Sequence, residues 1–372
     1  LPNDKVFANA IRKLKAALMT NGMDRQPALY GINRSNRTGD DLWGKNQFNS
    51  SFPVSLACYM RDSGLNAVYL ALDRDLKVIP VEISFDAVFN TQAPNEDLYF
   101  SFETKYNPYQ IYAYDDIGHI DLTIQQGEAF LRPLEIKLTV MPDNSTHALN
   151  EAEWGSEIVI RPASTSYCAL GIADAFKDEM DTIRQIFEPV CHDVRDWGNK
   201  HEIQARRTHL LTALNSFQTA HFERQKPLLM QPIWKTQGKS PLLADHAFDI
   251  FIWSDFALCR LFLDRSLEGQ EVVNRYMRSS ARLARFLYEV STRGRVNIRS
   301  IYTEMAHDLQ TDKEFSVPGR IMKNYMNSPR RINPSLPPDV LRRIILNGGE
   351  RLLSPERRFD ATIYYTAAHM FA

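Results

Sequence analysis

From Ile120 to Val140 the chain reads IDLTIQQGEAFLRPLEIKLTV, and no other stretch restricts the fold as tightly. Apolar residues alternate with others on both sides of QQGE, the period expected of strands, and a glycine sits where the chain must reverse. Two antiparallel strands joined there set Asp121 beside Glu135, fourteen residues further on. On the second strand Glu135, Lys137 and Thr139 share one face, and Leu134, Ile136 and Leu138 share the other. Two neighbouring carboxylates repel each other unless a cation lies between them, so this end of the hairpin needs a reason.

Hard oxygen ligands of this kind suit Mg²⁺, which keeps several waters and completes its shell with phosphate oxygens. A lysine two residues on, pointing the same way, can orient or help deprotonate a water and offset charge on a phosphorane-like transition state. Acids facing water on an edge strand are the competing reading. Two rival triplets exist, Glu103-Thr104-Lys105 and Asp75-Leu76-Lys77. Asp75 falls at a hairpin turn, and Glu103 has Asp97 only six residues before it, too few for two strands and a turn. Glu103 remains a further metal or water ligand to consider, and His119 a phosphate or water contact. Gly238-Lys239-Ser240 ends like a phosphate-binding loop, but Ile233 stands where its first glycine belongs. His201-Glu202 begins like a zinc-protease helix, but Ala205 stands where the second histidine belongs.

The rest of the chain predicts a mixed α/β protein. Residues 5–20 read as an amphipathic helix, 33–51 as a polar loop and 53–62 as a short helix. AVYLALDRDLKVIPVEI reads as a hairpin turning near Asp73-Arg74-Asp75, LYFSFETKY and YQIYAY as continued strand, and EIVIRP as another short strand. From about Cys168 the spacing turns helical, LLMQPIWKTQ interrupts as a strand, and helices are expected from ADHAFDIFIWSDFALCRLF nearly to the end. That run contains Asp249 and Asp255, so no membrane span is expected. The four cysteines, Cys58, Cys168, Cys191 and Cys259, form no C-x-x-C pair, which suits a reducing cytosol rather than a disulfide framework or a zinc ribbon. The opening LPNDKVFANAIRKLKAALM is too polar for a signal peptide.

The formal net charge of −1 hides an asymmetry. Residues 271–358 hold 17 Lys and Arg against 9 Asp and Glu, a surplus that suggests an anionic partner. Arg275, Arg278, Arg282 and Arg285 fall on one helical face. They form either a stripe that tracks a phosphate backbone or a solvated face paired with acids. Arg330-Arg331, Arg342-Arg343 and Arg357-Arg358 add to the surplus. Reading bases requires side chains able to form paired hydrogen bonds. The loop holding Arg34, Arg37, Lys45, Asn46 and Gln47, and the segment with Lys235, Gln237 and Lys239, are rich in them, although surface polarity accounts for both.

LEIKLTVMPDNST resembles the active-site strand and following loop of HindVP-type type II restriction endonucleases, in the PD-(D/E)XK nuclease superfamily. QPIWKTQGKSPLLADHAFDIFIWSDFA resembles a second block of that family, and the two anchor a region from about residue 115 to 260. The resemblance implies a mixed β-sheet core flanked by helices with a large helical C-terminal part. It divides the chain into a nuclease core over residues 1–240, with a helical insertion around 170–226, and a basic helical region over 241–372 for DNA binding or dimerisation. Asp121 then matches the motif's first acid, Glu135 the second and Lys137 the lysine, with the two acids holding the metal. Ile120 stands where the motif's name puts proline, and Asp115 and Asp116 are reserve choices for the first acid. The implied activity is Mg²⁺-dependent cleavage of double-stranded DNA at a short palindrome, with a GRCGYC-like site as the family's suggestion, leaving 5′-phosphate and 3′-hydroxyl ends. A homodimer, a cognate DNA methyltransferase and the prokaryotic cytoplasm follow from the same resemblance. Two alternatives remain: a non-catalytic DNA-binding protein using the basic end, and a repair or structure-specific nuclease on the same core.

Overall fold

The computed structural model describes residues 66–91, 98–137, 139–141, 158–235, 249–267, 273–306 and 315–317. The expected helices over 5–20 and 53–62 and the polar loop over 33–51 lie outside them.

The first hairpin pairs β1 (Ala67–Leu72) with β2 (Val78–Ile83). Its turn is held by Asp73, whose carboxylate accepts hydrogen bonds from the amides of Asp75 and Lys77, both at 2.9 Å. A short helix, α1 (Phe85–Phe89), precedes β3 (Leu98–Thr104). The expected strand at YQIYAY is instead a 3-10 turn over Asn107–Tyr112. Pro108 in its first turn favours that conformation, and Tyr109 and Tyr112 turn inward. β4 (Ile120–Gln126) and β5 (Ala129–Ile136) form the antiparallel hairpin read from the sequence, reversing at Gly127, whose φ of 57° favours glycine.

Further along come β6 (Thr139–Met141), β7 (Ile158–Ile160), β8 (Pro227–Lys235), β9 (Asp249–Ser254) and β10 (Phe315–Val317). The main sheet runs β2-β1-β9-β8-β5-β4-β3, and β6 carries on the pairing of β5 with β8; β7 pairs with β10 in a separate two-stranded sheet. The main sheet is mixed, with β1–β9 and β5–β8 parallel and β8–β9 antiparallel.

β9 stands where the sequence predicts helix. Asp-Ile-Phe-Ile-Trp-Ser is rich in β-branched and aromatic residues, and Ile250, Phe251, Ile252 and Trp253 are all at most 1% exposed. A strand buried on both faces shows no alternation, so its spacing does not separate it from a buried helix. The expected boundary at 240/241 falls between β8 and β9, which are hydrogen-bonded neighbours in one sheet.

The helices are α2 (Pro162–Ala175), α3 (Met180–Cys191), α4 (Lys200–Ala205), α5 (Arg207–His221), α6 (Asp255–Ser266), α7 (Arg275–Arg293) and α8 (Ile298–Glu304). α7 packs against α2, α3, α5 and α6. An aromatic cluster ties the layer together: Phe217 lies 5.7 Å from Phe176, 5.6 Å from Phe187 and 5.4 Å from Phe256, ring centre to ring centre. Val68, Leu70, Leu229, Phe251 and Trp253 of the sheet belong to the same core as these helices. α2 begins six residues earlier than the helical spacing indicates, at Pro162, because proline has no amide to lose in a first turn. Among the described residues no helix is long and apolar enough to cross a membrane.

Candidate active site

The site forms where β5 changes partners. Up to Leu134 it pairs antiparallel with β4, and at Glu135 and Ile136 it pairs parallel with Leu229 and Met230 of β8. Asp121 lies one residue beyond the paired Leu122 and Leu134, opposite Glu135. Here the Asp121 side chain enters the ladder: its Oδ2 accepts the Ile136 amide at 2.9 Å. The sheet continues past this point because the Lys137 amide donates to the Met230 carbonyl at 2.9 Å.

Glu135 is only 7% exposed. A charge so placed requires partners, and it has two on one oxygen. Ser164 Oγ donates to Oε1 at 2.8 Å, and the Lys137 ammonium forms an ion pair with the same atom. Burial by itself would push the Lys137 ammonium down, but the charges of Glu135 and Asp121 outweigh it and hold Lys137 above the usual lysine range. Lys137 is thus kept as a cation beside both acids, suited to orienting a nucleophile and offsetting negative charge.

Sequence spacing does not single out Ser164. It lies two residues after Pro162, and that proline is the available sign that a helix starts there rather than at Cys168. α8 locks this turn in place, since Tyr302 Oη donates to the Pro162 carbonyl at 2.7 Å. Arg161 is the residue that caps α2, and it is exposed.

The reserve acids have other work. Asp115 accepts the amides of Ile298 and Arg299, both at 2.8 Å, and so caps α8. Asp116 pairs with Lys105 at 2.6 Å and accepts the Gly118 amide at 2.8 Å, and the Lys105 hydrogen bond leads in holding its carboxyl below the usual range. His119 is exposed. The side chain of Glu103 is not among those described.

The arginine stripe differs from both sequence readings. Arg275 opens α7, but Arg278, Arg282 and Arg285 are 3%, 5% and 6% exposed. Arg282 donates to the Met305 carbonyl and its guanidinium lies 4.6 Å from the centre of the Tyr302 ring. Arg285 donates to Glu289 at 2.7 Å and to Glu304 at 2.6 Å, and lies 5.2 Å from the Trp197 ring. Three of the four thus face inward, because the rest of this helix face packs on its neighbours. Lys235 ends β8 opposite Met141, with its side chain not described. Arg34, Arg37, Lys45, Asn46, Gln47, Gln237, Lys239 and the three later arginine pairs lie outside the described residues.

Among the described residues no group of three or more His, Cys, Asp or Glu side chains could hold a metal. The site offers two carboxylates. That donor set fits Mg²⁺, which takes one or two carboxylates and leaves its other positions to water and phosphate.

A mixed sheet that delivers strand-borne acids and a lysine to its helix-covered face has the architecture of a restriction-endonuclease-like core. Comparison with known proteins takes this to a family. The family model described as HindVP restriction endonuclease matches residues 43–371. The type II restriction enzyme HgiDI of Herpetosiphon aurantiacus is 37% identical over 346 residues, covering 92% of this chain and 96% of that protein. The probable type II restriction enzyme HindVP of Haemophilus influenzae is 38% identical over 347 residues, covering 92% and 94%. The chain belongs to the HindVP restriction endonuclease family, and so to the type II restriction enzymes. No solved structure matches it.

Proposed function

We propose that this restriction enzyme hydrolyses phosphodiester bonds of double-stranded DNA at a short palindrome, with Mg²⁺, leaving 5′-phosphate and 3′-hydroxyl ends. The observation that carries this reading is the convergence of Asp121, Glu135 and Lys137 where β5 leaves β4 for β8. Asp121 and Glu135 would hold the metal, which supplies charge to polarise the scissile phosphate and lower the pKa of a bound water. Ser164 keeps the Glu135 carboxylate in one orientation. Lys137 orients the attacking water and balances charge gathering on the phosphate oxygens.

A palindrome presents the same scissile bond on both strands, so a two-fold dimer with one site per strand is the simplest assembly. The family likeness adds a GRCGYC-like sequence, a protecting DNA methyltransferase and a cytoplasmic setting to the proposal. The test is digestion of unmethylated plasmid and phage DNA in Mg²⁺, with an EDTA control, followed by sequencing of the ends. Discrete fragments that vanish in EDTA support the reading and give the site. Fragments that persist in EDTA, or no cleavage by folded protein on several substrates, overturn it.

A further inference from the structure

The first turn of α2 carries a second polar group besides Ser164. Arg161 caps this helix and directly follows β7. Two residues separate it from Ser164, whose hydroxyl touches Glu135, so Arg161 stands within one helical turn of the candidate active site. It is exposed, and no carboxylate among the described residues forms an ion pair with it. Lys137 is paired with Glu135 and Arg161 is open to solvent, so the guanidinium at this turn can meet an anion.

Direction separates the two residues. Ser164 points inward to the catalytic carboxylate and is 5% exposed. Arg161, at the start of the same turn, is exposed and so within reach of a duplex. A guanidinium suits this task, because its planar fork can meet two phosphate oxygens at once. Three of the four α7 arginines, read from sequence as either a phosphate track or a solvated face, are turned inward instead.

We propose that Arg161 binds the DNA phosphate next to the scissile one, so that the turn which steadies Glu135 also sets the position of the strand. The proposal rests on the nuclease reading of the neighbouring acids and lysine, but it can fail separately from it.

The experiment uses the full chain and a labelled duplex carrying the enzyme's own site. Lys137→Ala serves as background so that the duplex stays whole in Mg²⁺, and affinity is read by fluorescence anisotropy across a salt series. Adding Arg161→Ala should reduce the slope of log affinity against log salt by about 0.9, the loss of one phosphate contact. It should also weaken binding roughly tenfold at low salt. Arg161→Lys, which keeps the charge, should restore the slope. A duplex with a neutral methylphosphonate at the adjacent phosphate should bind equally to the background protein and to the same protein carrying R161A. Unchanged slope and affinity in R161A, with an unchanged thermal melt, would overturn the proposal. So would an R161A deficit that persists with methylphosphonate at either phosphate flanking the cut. If Lys137→Ala alone still cuts DNA, the catalytic role of Lys137 falls, and the salt slope taken in EDTA still decides Arg161.

Discussion

Two regions of this molecule bury charge, and they do so for different ends. At the β4–β5 end, Asp121, Glu135 and Lys137 come from adjoining strands, and their charges meet where the sheet changes partners. On α7, Arg278, Arg282 and Arg285 come from one helix and are buried, the last two closed off by Glu289, Glu304, the Met305 carbonyl and two aromatic rings. By residue type the arginine stripe looks the more suitable for an anionic polymer. By placement it is a brace between α7, α8 and Trp197. A charged side chain serves a ligand only where its partners leave it a side toward solvent.

The comparison breaks most visibly at Lys137. Lys137→Ala should lower cleavage by about 10²–10³-fold, the usual cost of removing a group that stabilises developing charge, while duplex binding is largely retained. Cleavage rates alongside anisotropy check this. A variant that cuts like the parent would place this cluster with the structural arginines.

Arg285→Ala should do the reverse. It removes the nearer of two cations on the largely buried Glu289, leaving Arg293 at 3.9 Å, and should destabilise the fold by about 2 kcal/mol, read by urea unfolding, with no change in the salt slope of DNA binding. A lowered slope at full stability would return α7 to the role of phosphate track.

A third buried charge sharpens the contrast. Asp255, in the first turn of α6, is 4% exposed and accepts the amides of Lys226 at 3.1 Å and Phe256 at 2.8 Å. Burial outweighs these bonds and the nearby charges of Lys226 and Arg132, and pushes its carboxyl from 3.8 up to about 7. Because the folded state holds this proton more tightly than the unfolded chain, its contribution is complete below about pH 4 and is lost as pH rises toward 7. Between about pH 5 and pH 7 the loss should amount to about 2 kcal/mol. Urea unfolding at several pH values should show that decline in the parent and not in Asp255→Asn. An identical pH dependence in both proteins would rule out Asp255 as its source.

The smallest effect expected is at Ser164. Ser164→Ala removes one hydrogen bond to a charged oxygen and should slow cleavage about tenfold without weakening duplex binding. Ser164→Thr, which keeps the hydroxyl, should recover most of the rate. Equal slowing by both substitutions would mean that bulk at this turn matters and the hydroxyl does not.

Legibility varies with range. The β1–β2 and β4–β5 hairpins are visible in the sequence because alternation and turn residues act over a few neighbours. So is the facing pair of Asp121 and Glu135, since a tight hairpin converts spacing into register. β9 and the 3-10 turn are not legible in the same way. Burial on both faces erases alternation in the first, and in the second aromatic residues fill a core as well from a turn as from a strand.

The sequence by itself determined the family, the mixed α/β class and the three residues that converge, because each is carried by local periodicity or by long matching blocks. Only the tertiary structure decided which charges look outward. It placed Ser164 on Glu135 across twenty-nine residues, left Arg161 exposed, and turned three of the α7 arginines into the core. Those outcomes depend on which elements pack on which face, and a charged side chain carries no mark of its future neighbours.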